Sequence, residues 1–228
     1  MTTLEALRNA KSIADLAVLI DCQPKILAYY AHHASDLKRY RNFDIKKKTG
    51  GVRTISAPVK ALREIQISLA NLIQECRLDS SRNDIGGASN LGVSHGFEKN
   101  KSIFTNASVH RRRKYVFNVD IENFFGSIHF GRIFGYLSKH PDFLLEPKVA
   151  QVIAAIVCST QGLPQGSCCS PIFSNLIGQI LDESLIHLAK KNGAKYSRYV
   201  DDLTFSSNRS AFPEQIALLK EAGWCAGP

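Results

Sequence analysis

The stretch KYSRYVDDLTFSS, residues 195–207, decides the fold of this chain. Its two arms, Lys195 to Tyr199 and Leu203 to Ser207, contain several aromatic and β-branched residues, which favour strands. Asp201 and Asp202 lie between the arms, and aspartate is common in tight turns. The pattern predicts a β-hairpin that carries both carboxylates at its tip.

A third carboxylate, Asp120, ends another predicted strand, KYVFNVD at residues 114–120. If this strand lies beside the hairpin, three carboxylates converge at one end of a sheet, and such a cluster is unstable unless a cation neutralises it. Ligation by oxygen alone suits Mg²⁺, and a pair of such ions can support in-line displacement at phosphorus. Taken alone, Asp201 and Asp202 also fit a simple turn with no chemistry.

Helical periodicity and turn residues predict the elements of the rest of the chain. The predicted elements are two short helices between Ser12 and Tyr30 with Pro24 in the first turn of the second, a basic hairpin from Tyr40 to Pro58, a helix from Val59 to Arg77, a polar loop from Asp79 to Gly96, a helix containing Gly131, and a helical stripe from Val149 to Val157. These elements and the predicted strands together describe a mixed α/β protein.

The clearest predicted helix begins at Ser170-Pro171, with Ser170 as its N-cap, and ends at Lys190-Lys191-Asn192-Gly193. Apolar residues recur on one side of it at helical spacing. The residues expected to be buried are Phe173, Leu176, Ile177, Ile180, Leu181, Leu185 and Leu188.

Composition indicates the kind of partner and compartment. The 29 Lys and Arg residues exceed the 20 Asp and Glu residues, giving a formal charge of +9, which favours a polyanion such as nucleic acid. The longest apolar run, Val152 to Cys158, is too short to cross a bilayer, and residues 1–5 do not begin a signal segment, so a cytoplasmic protein without membrane contact is expected.

The six cysteines form no CxxC pair and are interpreted as reduced thiols.

Four motifs, in the correct order, resemble those of reverse transcriptases. They are Tyr199-Val200-Asp201-Asp202 (YxDD), Val119 to Phe125 (the first carboxylate motif), Gly162 to Ser167 with Ser170-Pro171 (LPQG…SP), and Phe43 to Pro58 (the fingers hairpin). Within that family the chain resembles bacterial retron reverse transcriptases, because Asn106-Ala107-Ser108-Val109-His110 matches their NAxxH signature. Ser167-Cys168-Cys169 departs from the Ala-Pro-Thr-like stretch that is usual at this place.

The resemblance implies an α/β right-hand polymerase, with fingers and a palm whose antiparallel sheet is backed by helices. It predicts an N-terminal helical extension at residues 1–38 and fingers at 39–114, of which 94–114 lead into the palm. It assigns 115–228 to the palm, with part of 132–160 returning to the fingers. A helical thumb is expected to be missing from this chain, so the chain alone is expected to be a weak or inactive polymerase.

The resemblance also assigns roles at the active site. Asp120, Asp201 and Asp202 are the expected catalytic residues, and Asp120, Asp201 and the Ile121 carbonyl are expected to bind two Mg²⁺ ions with support from Asp202. The expected dNTP contacts are Lys47, Arg53, Phe125, Gln165 and Gly166, and Tyr199 is expected beneath the primer end. Phe125 matches the position that excludes a ribose 2′-OH, whereas its alternative is a buried aromatic and Phe124 is expected in the core.

Basic residues precede the strand that ends in Asp120. Arg111, Arg112, Arg113 and Lys114 are expected to contact RNA phosphates, with an ordinary solvated charge run as the alternative. Asn106 and His110 form the retron signature, and His110 is expected to order local structure through a ring hydrogen bond.

The resemblance implies several partners, and several alternative functions stay open beside it. The expected partners are a structured non-coding RNA as template and primer, dNTPs, nascent DNA, and an effector protein or a separately supplied thumb. The expected product is RNA-linked single-stranded DNA for phage defence. The alternatives are a group II intron or other defence-associated reverse transcriptase, a non-catalytic RNA-binding subunit, and a metal-dependent nucleotidyl cyclase or nuclease.

Overall fold

A computed structural model describes residues 1–46, 50–82 and 92–209. Its helices are α1 (Thr3–Asn9), α2 (Ile13–Leu19), α3 (Pro24–His32), α4 (Asp36–Arg39), α5 (Lys60–Arg82), α6 (Ile103–Val109), α7 (Phe124–Ser127), α8 (Phe130–Lys139), α9 (Pro147–Val157) and α10 (Ser170–Lys191). Its strands are β1 (Tyr40–Lys46), β2 (Val52–Pro58), β3 (Tyr115–Asp120), β4 (Lys195–Tyr199) and β5 (Asp202–Ser207).

The chain divides into two compact units. Of the described residues, the first unit contains 1–46, 50–82 and 128–173, and the second contains 92–127 and 174–209. The predicted fingers and palm boundaries do not follow from this division alone, so they stay predictions.

The first unit combines a hairpin with a helical core. Strands β1 and β2 pair antiparallel from Tyr40 opposite Pro58 to Lys46 opposite Val52, which confirms the predicted basic hairpin. The core is formed by buried aliphatic side chains of α5, α8 and α9, among them Leu62, Leu69, Ile73, Ile133, Ile153 and Ile156. Helix α5 continues to Arg82, so the prediction that a loop begins at Asp79 is wrong for its first residues.

The second unit contains a three-stranded antiparallel sheet in the order β3-β5-β4. The core of this unit is formed by Leu185 and Ala189 of α10 and by buried residues of β4 and β5. Every second residue of β3 packs against this core, namely Tyr115, Phe117 and Val119. The intervening residues of β3 are exposed. Because alternate residues of a strand point to opposite faces, one face of this sheet is covered by α10. The predicted hairpin of β4 and β5 is confirmed.

Helix α10 departs from its prediction at two points. The helix begins with Ser170, whose hydroxyl donates to the Pro164 carbonyl at 2.7 Å, so the predicted N-cap role of Ser170 is wrong. Ile180 is 48% exposed although it was expected to be buried. Asp182, two residues later and therefore on nearly the opposite side of the helix, is buried instead, which turns Ile180 outward.

Two further predictions concern cysteines and membranes. Cys22, Cys76, Cys158, Cys168 and Cys169 are free thiols, as predicted, and Cys225 lies outside the described residues. In the described part of the chain, no helix is both long and apolar enough to cross a membrane.

Candidate active site

The three predicted catalytic aspartates lie at one end of the second unit's sheet. Asp120 of β3 is directly opposite Asp202 of β5, and the Ile121 amide donates to the Asp201 carbonyl at 3.1 Å. The side chains of Asp120 and Asp202 are exposed and that of Asp201 is partly buried. The predicted adjacency of the Asp120 strand and the hairpin is therefore confirmed.

The environment of the Asp202 carboxyl disfavours its charged form. Burial raises the pKa of Asp202, and the neighbouring charges of Asp201 and Asp120 raise this pKa further. The protein environment thus disfavours the ionised form of Asp202, and a nearby cation would relieve that cost.

The donor chemistry can be compared with the needs of Mg²⁺. No group of three or more His, Cys, Asp and Glu side chains within residues 1–46, 50–82 and 92–209 is arranged to hold a metal ion. Mg²⁺, however, usually needs only one or two carboxylates and completes its shell with water or substrate phosphates. Two of the three aspartate carboxylates would supply that smaller donor set.

A buried ion pair beside the hairpin was not predicted. Arg198 of β4 is 0% exposed, and its Nε and Nη2 donate to Oδ1 and Oδ2 of Asp182 on α10, each at 2.8 Å. The Tyr196 hydroxyl also donates to Asp182 Oδ1 at 2.7 Å. A carboxylate and a guanidinium that bind each other in this two-pronged way are mutually satisfied despite burial.

Gly178 of α10 makes room for this guanidinium. A Cβ atom at Gly178 would lie 2.7 Å from Cζ and 2.8 Å from Nη2 of Arg198. The guanidinium cannot give way easily, since Asp182 fixes it through two hydrogen bonds. The signal was present in the sequence as a glycine within a long helix, where glycine ordinarily costs stability.

We expect Gly178→Ala to destabilise the protein by about 1–3 kcal/mol, because the added methyl group overpacks the guanidinium. The matched control is Gly135→Ala in α8, where a Cβ meets nothing within 4 Å. Because Ala favours the helix more than Gly does, Gly135→Ala should stabilise the protein by about 0.5–1 kcal/mol. Urea unfolding of both variants measures the difference, and stabilisation by Gly178→Ala would show that the guanidinium can move aside.

The retron signature residues hold α6 against the sheet. Both ring nitrogens of His110 are bound: Nδ1 lies 2.7 Å from the Ser206 hydroxyl and Nε2 lies 2.7 Å from the Ser197 hydroxyl. Ser197 donates its proton to Asn106 Oδ1 at 2.6 Å. Ser197 must therefore accept from His110 Nε2–H, and Nδ1 accepts from Ser206. The predicted ring hydrogen bond of His110 is confirmed.

His110 makes stability depend on pH. Burial lowers the pKa of its ring from 6.5 to about 4, with smaller contributions from the positive charges of Lys195, His95 and Arg113. In the pH window between these values the unfolded chain binds the proton more readily than the folded protein. The contribution of His110 to stability is therefore complete above pH 6.5 and is lost as pH falls toward about 4.

We expect the difference in unfolding free energy between wild type and His110→Gln to shrink as pH is lowered through this window. Denaturant titrations of both proteins at several pH values measure it. Parallel stability curves for the two proteins would contradict a neutral, buried His110.

The basic run lies between α6 and β3. Arg111, Arg112 and Lys114 are exposed and Arg113 is partly buried. The Lys114 amide donates to Asn208 Oδ1 at 3.0 Å, which ties the end of the run to the end of β5. The side chains of Arg111, Arg112 and Lys114 are thus accessible from solvent while the backbone after them is fixed.

Three of the expected dNTP contacts belong to the first unit. Gln165 and Gly166 lie beside β2, because the Ser56 amide donates to the Gln165 carbonyl at 2.7 Å. Gly166 has a φ of 115°, and a Cβ there would lie 2.8 Å from Ile55 Cγ2. Arg53 is exposed two residues before Ile55 on the same strand. Lys47 lies outside the described residues.

Phe125 and Tyr199 belong to the second unit. Phe124 is buried, which confirms its predicted place in the core, and Phe125 is partly buried with its ring edge-on to Phe124 at 5.6 Å. Both residues lie in the helical turn α7. Tyr199 is partly buried at the end of β4.

Comparison with known protein families identifies the chain. Residues 45–222 match the family described as reverse transcriptase (RNA-dependent DNA polymerase). This match covers most of the 228 residues, and the chain belongs to the reverse transcriptase family.

Curated relatives narrow the resemblance to retron-type enzymes. The chain is 28% identical to the retron Mx65 reverse transcriptase of Myxococcus xanthus, over 90% of this chain and 49% of the relative. It is 33% identical to the retron Ec86 reverse transcriptase of Escherichia coli, over 74% of this chain and 49% of the relative. The predicted resemblance to retron reverse transcriptases is confirmed. The chain spans about half the length of these curated relatives.

Solved structures support the fold. A telomerase from Candida albicans, solved with a fragment of telomeric RNA, has a TM-score of 0.56 and 11% identity, covering 80% of this chain and 40% of that one. An apo telomerase from Candida tropicalis has a TM-score of 0.53 and 13% identity, covering 81% of this chain and 46% of that one. At such low identity the likeness concerns the fold alone, and the predicted α/β fold with an antiparallel sheet backed by helices is confirmed.

Proposed function

We propose that the protein is a retron-type RNA-directed DNA polymerase that adds dNTPs to a primer on an RNA template by two-metal phosphoryl transfer. The observation that carries this proposal is the register that pairs Asp120 with Asp202 and bonds Ile121 to Asp201, in a member of the reverse transcriptase family. The product would be single-stranded DNA linked to RNA, used in defence against phage.

In this proposal Asp120, Asp201 and the Ile121 carbonyl hold two Mg²⁺ ions, and Asp202 supports the site through its charge. When bound, such ions activate an attacking hydroxyl and stabilise the charge that develops on the leaving group. The hydroxyl, a primer 3′-OH or a 2′-OH of a priming RNA, attacks the α-phosphate of the dNTP and pyrophosphate leaves. The aspartates contribute fixed anionic oxygens at the open end of a sheet, and Tyr199 contributes a surface beneath the primer end.

The proposed nucleotide contacts follow from side-chain chemistry. Arg53 would bind the triphosphate, since a guanidinium matches phosphate oxygens with paired donors, and Lys47 would add a second cation. Gln165 and Gly166 would lie against the incoming sugar, where the absence of a Cβ at Gly166 permits close approach. Phe125 would exclude a ribose 2′-OH.

The proposed RNA partner is a structured non-coding RNA that serves as template and primer. Arg111, Arg112, Arg113 and Lys114 would contact its phosphates, supported by the exposure of most of these side chains and by the net charge of +9. Effector proteins remain proposed partners on family resemblance alone.

Replacing Arg111, Arg112 and Arg113 by Ala should weaken RNA binding and flatten its salt dependence. Each lost phosphate contact should reduce the slope of log affinity against log salt by about 0.7 to 0.9. The control removes the same charge elsewhere, by replacing the exposed Lys25, Lys38 and Lys148 with Ala. Equal slopes for the two triple variants would mean that only the net charge matters.

Primer extension by the intact protein tests the proposed function. On an RNA template with a paired primer, the expected result is Mg²⁺-dependent addition of the complementary dNTP. RNA binding without any extension would favour the non-catalytic RNA-binding subunit. Cyclic nucleotide production or RNA cleavage in place of extension would favour the cyclase or nuclease.

A further inference from the structure

Val200 has an unusual backbone conformation at the centre of the catalytic turn. Its φ is 61°, and among the described residues it is the one β-branched residue with a positive φ. Such a conformation is strained for a side chain branched at Cβ, and it persists only where the surroundings hold it. The residue that follows is Asp201, so whatever fixes Val200 also orients that aspartate.

The buried guanidinium of Arg198 is one group that holds this turn. While Nε and Nη2 bind Asp182, Nη1 donates to the Val200 carbonyl at 3.1 Å and to Asn175 Oδ1 at 3.3 Å. The guanidinium thus joins helix α10 to the strained residue through separate nitrogen atoms. A lysine ammonium could neutralise Asp182 but is a single centre, so it cannot reproduce this fork.

The segment from Val93 to Glu98 holds the turn from another side. It lies along β4, with the Arg198 amide donating to the Val93 carbonyl at 2.9 Å and the His95 amide donating to the Arg198 carbonyl at 2.8 Å. A Cβ at Gly96 would lie 2.5 Å from Val200 Cγ2, so the backbone of Gly96 packs directly on Val200.

Asn175 anchors this segment to α10. Its Nδ2 donates to the Gly96 carbonyl at 2.9 Å and to Glu98 Oε1 at 3.0 Å. Arg198 and Gly96, which both contact Val200, are therefore both hydrogen-bonded to helix α10.

We propose that Arg198, held by Asp182, is a positioning residue of the active site that keeps Val200 in its strained conformation and thereby orients Asp201 and Asp202. The inference rests on the proposed polymerase function. Arg198 is fully buried, and its guanidinium donates to Asp182, to Asn175 and to the Val200 carbonyl, so we infer that its effect on catalysis passes through the backbone of Val200.

The central variant is Arg198→Lys, which retains a positive charge beside Asp182 but loses the fork. In the intact protein we expect the single-turnover rate of dNTP addition to fall about 100-fold, as for an ångström-scale misplacement of reacting groups, with RNA affinity unchanged. Tyr196→Phe is the matched control, because it removes a hydrogen bond to the same Asp182 without touching the turn. This control should lower stability and leave the rate near that of wild type.

A second substitution separates positioning from general stability. Val200→Gly removes the strain, since glycine adopts a positive φ freely. In the Val200→Gly background the loss caused by Arg198→Lys should shrink from about 100-fold to below about 10-fold. Equal losses in both backgrounds would overturn the proposal, because a residue that only stabilises the fold gains nothing from a relaxed Val200.

Hydrogen exchange tests the same inference without any enzymatic activity. The Ile121 amide, bonded to the Asp201 carbonyl, should exchange at least about 10-fold faster in Arg198→Lys, whereas the amides of Phe117 and Phe205 in the middle of the sheet should keep their protection. Unchanged exchange at Ile121 would overturn the proposal. Faster exchange at Ile121 in a protein whose wild type extends no primer would support the positioning role and reject the polymerase function.

Discussion

Asp120→Asn and Asp201→Asn should each lower RNA-templated dNTP incorporation by at least about 10³-fold, because each removes an anionic oxygen from the proposed metal site. RNA affinity should change little, since the proposed RNA contacts lie in the basic run. The measurement is single-nucleotide addition by the intact protein at saturating primer and template. Normal addition by either variant would remove these aspartates from the mechanism.

The stability of the same variants distinguishes a catalytic from a structural role. The charges of Asp120 and Asp201 contribute to the raised pKa of Asp202, so the three carboxylates repel one another without a cation. Each Asn variant should therefore be at least as stable as wild type in the absence of Mg²⁺, a combination typical of functional sites that cost stability.

Glu122→Gln is the matched control for charge. Glu122 is an exposed acidic residue two positions after Asp120, and it lies outside the proposed site. The Glu122→Gln variant should retain wild-type activity and stability. A loss of activity equal to that of Asp120→Asn would mean that general negative charge at this sheet end, rather than ligation, supports the reaction.

Phe125→Val should let the enzyme accept ribonucleotides, because a smaller side chain leaves space for the 2′-OH. We expect the preference for dNTP over rNTP to fall by about 10- to 100-fold, the range that steric pockets of this kind usually provide. The measurement is the ratio of kcat/KM for the two nucleotides on one RNA template.

Phe124→Leu is the control for this second prediction. Phe124 is 6% exposed and packs edge-on to Phe125, so its replacement should reduce stability by disturbing the core. Its nucleotide preference should remain that of wild type. A change of preference in Phe124→Leu but not in Phe125→Val would reverse the roles of the two aromatics.

Local patterns predicted the elements of this fold well. Strand-favouring residues in 114–120 and 195–207 predicted β3 and the β4–β5 hairpin, and helical spacing predicted α9 and α10, because these signals depend on neighbours within a few residues. The pairing of β3 with β5 joins residues more than eighty positions apart, so only the recognised order of motifs indicated it.

Buried polar contacts were the part that the sequence could not reveal. Asp182 occurs in a helix whose apolar spacing already defined a buried side, so nothing marked it as the partner of Arg198. The expected burial of Ile180 was wrong for the same reason. Ser197 and Ser206 likewise carried no signal as partners of His110, since serines in strands are common and their bonds are non-local.

Binding of Mn²⁺ tests the central claim, that the sheet end formed by Asp120, Asp201 and Asp202 is a metal-dependent catalytic site. Electron paramagnetic resonance can count Mn²⁺ bound to the intact protein with a dNTP present and no primer, for wild type and for Asp201→Asn. We predict that wild type binds Mn²⁺ at this site and that Asp201→Asn loses that binding while it still binds RNA. Equal Mn²⁺ binding by the two proteins would contradict the account.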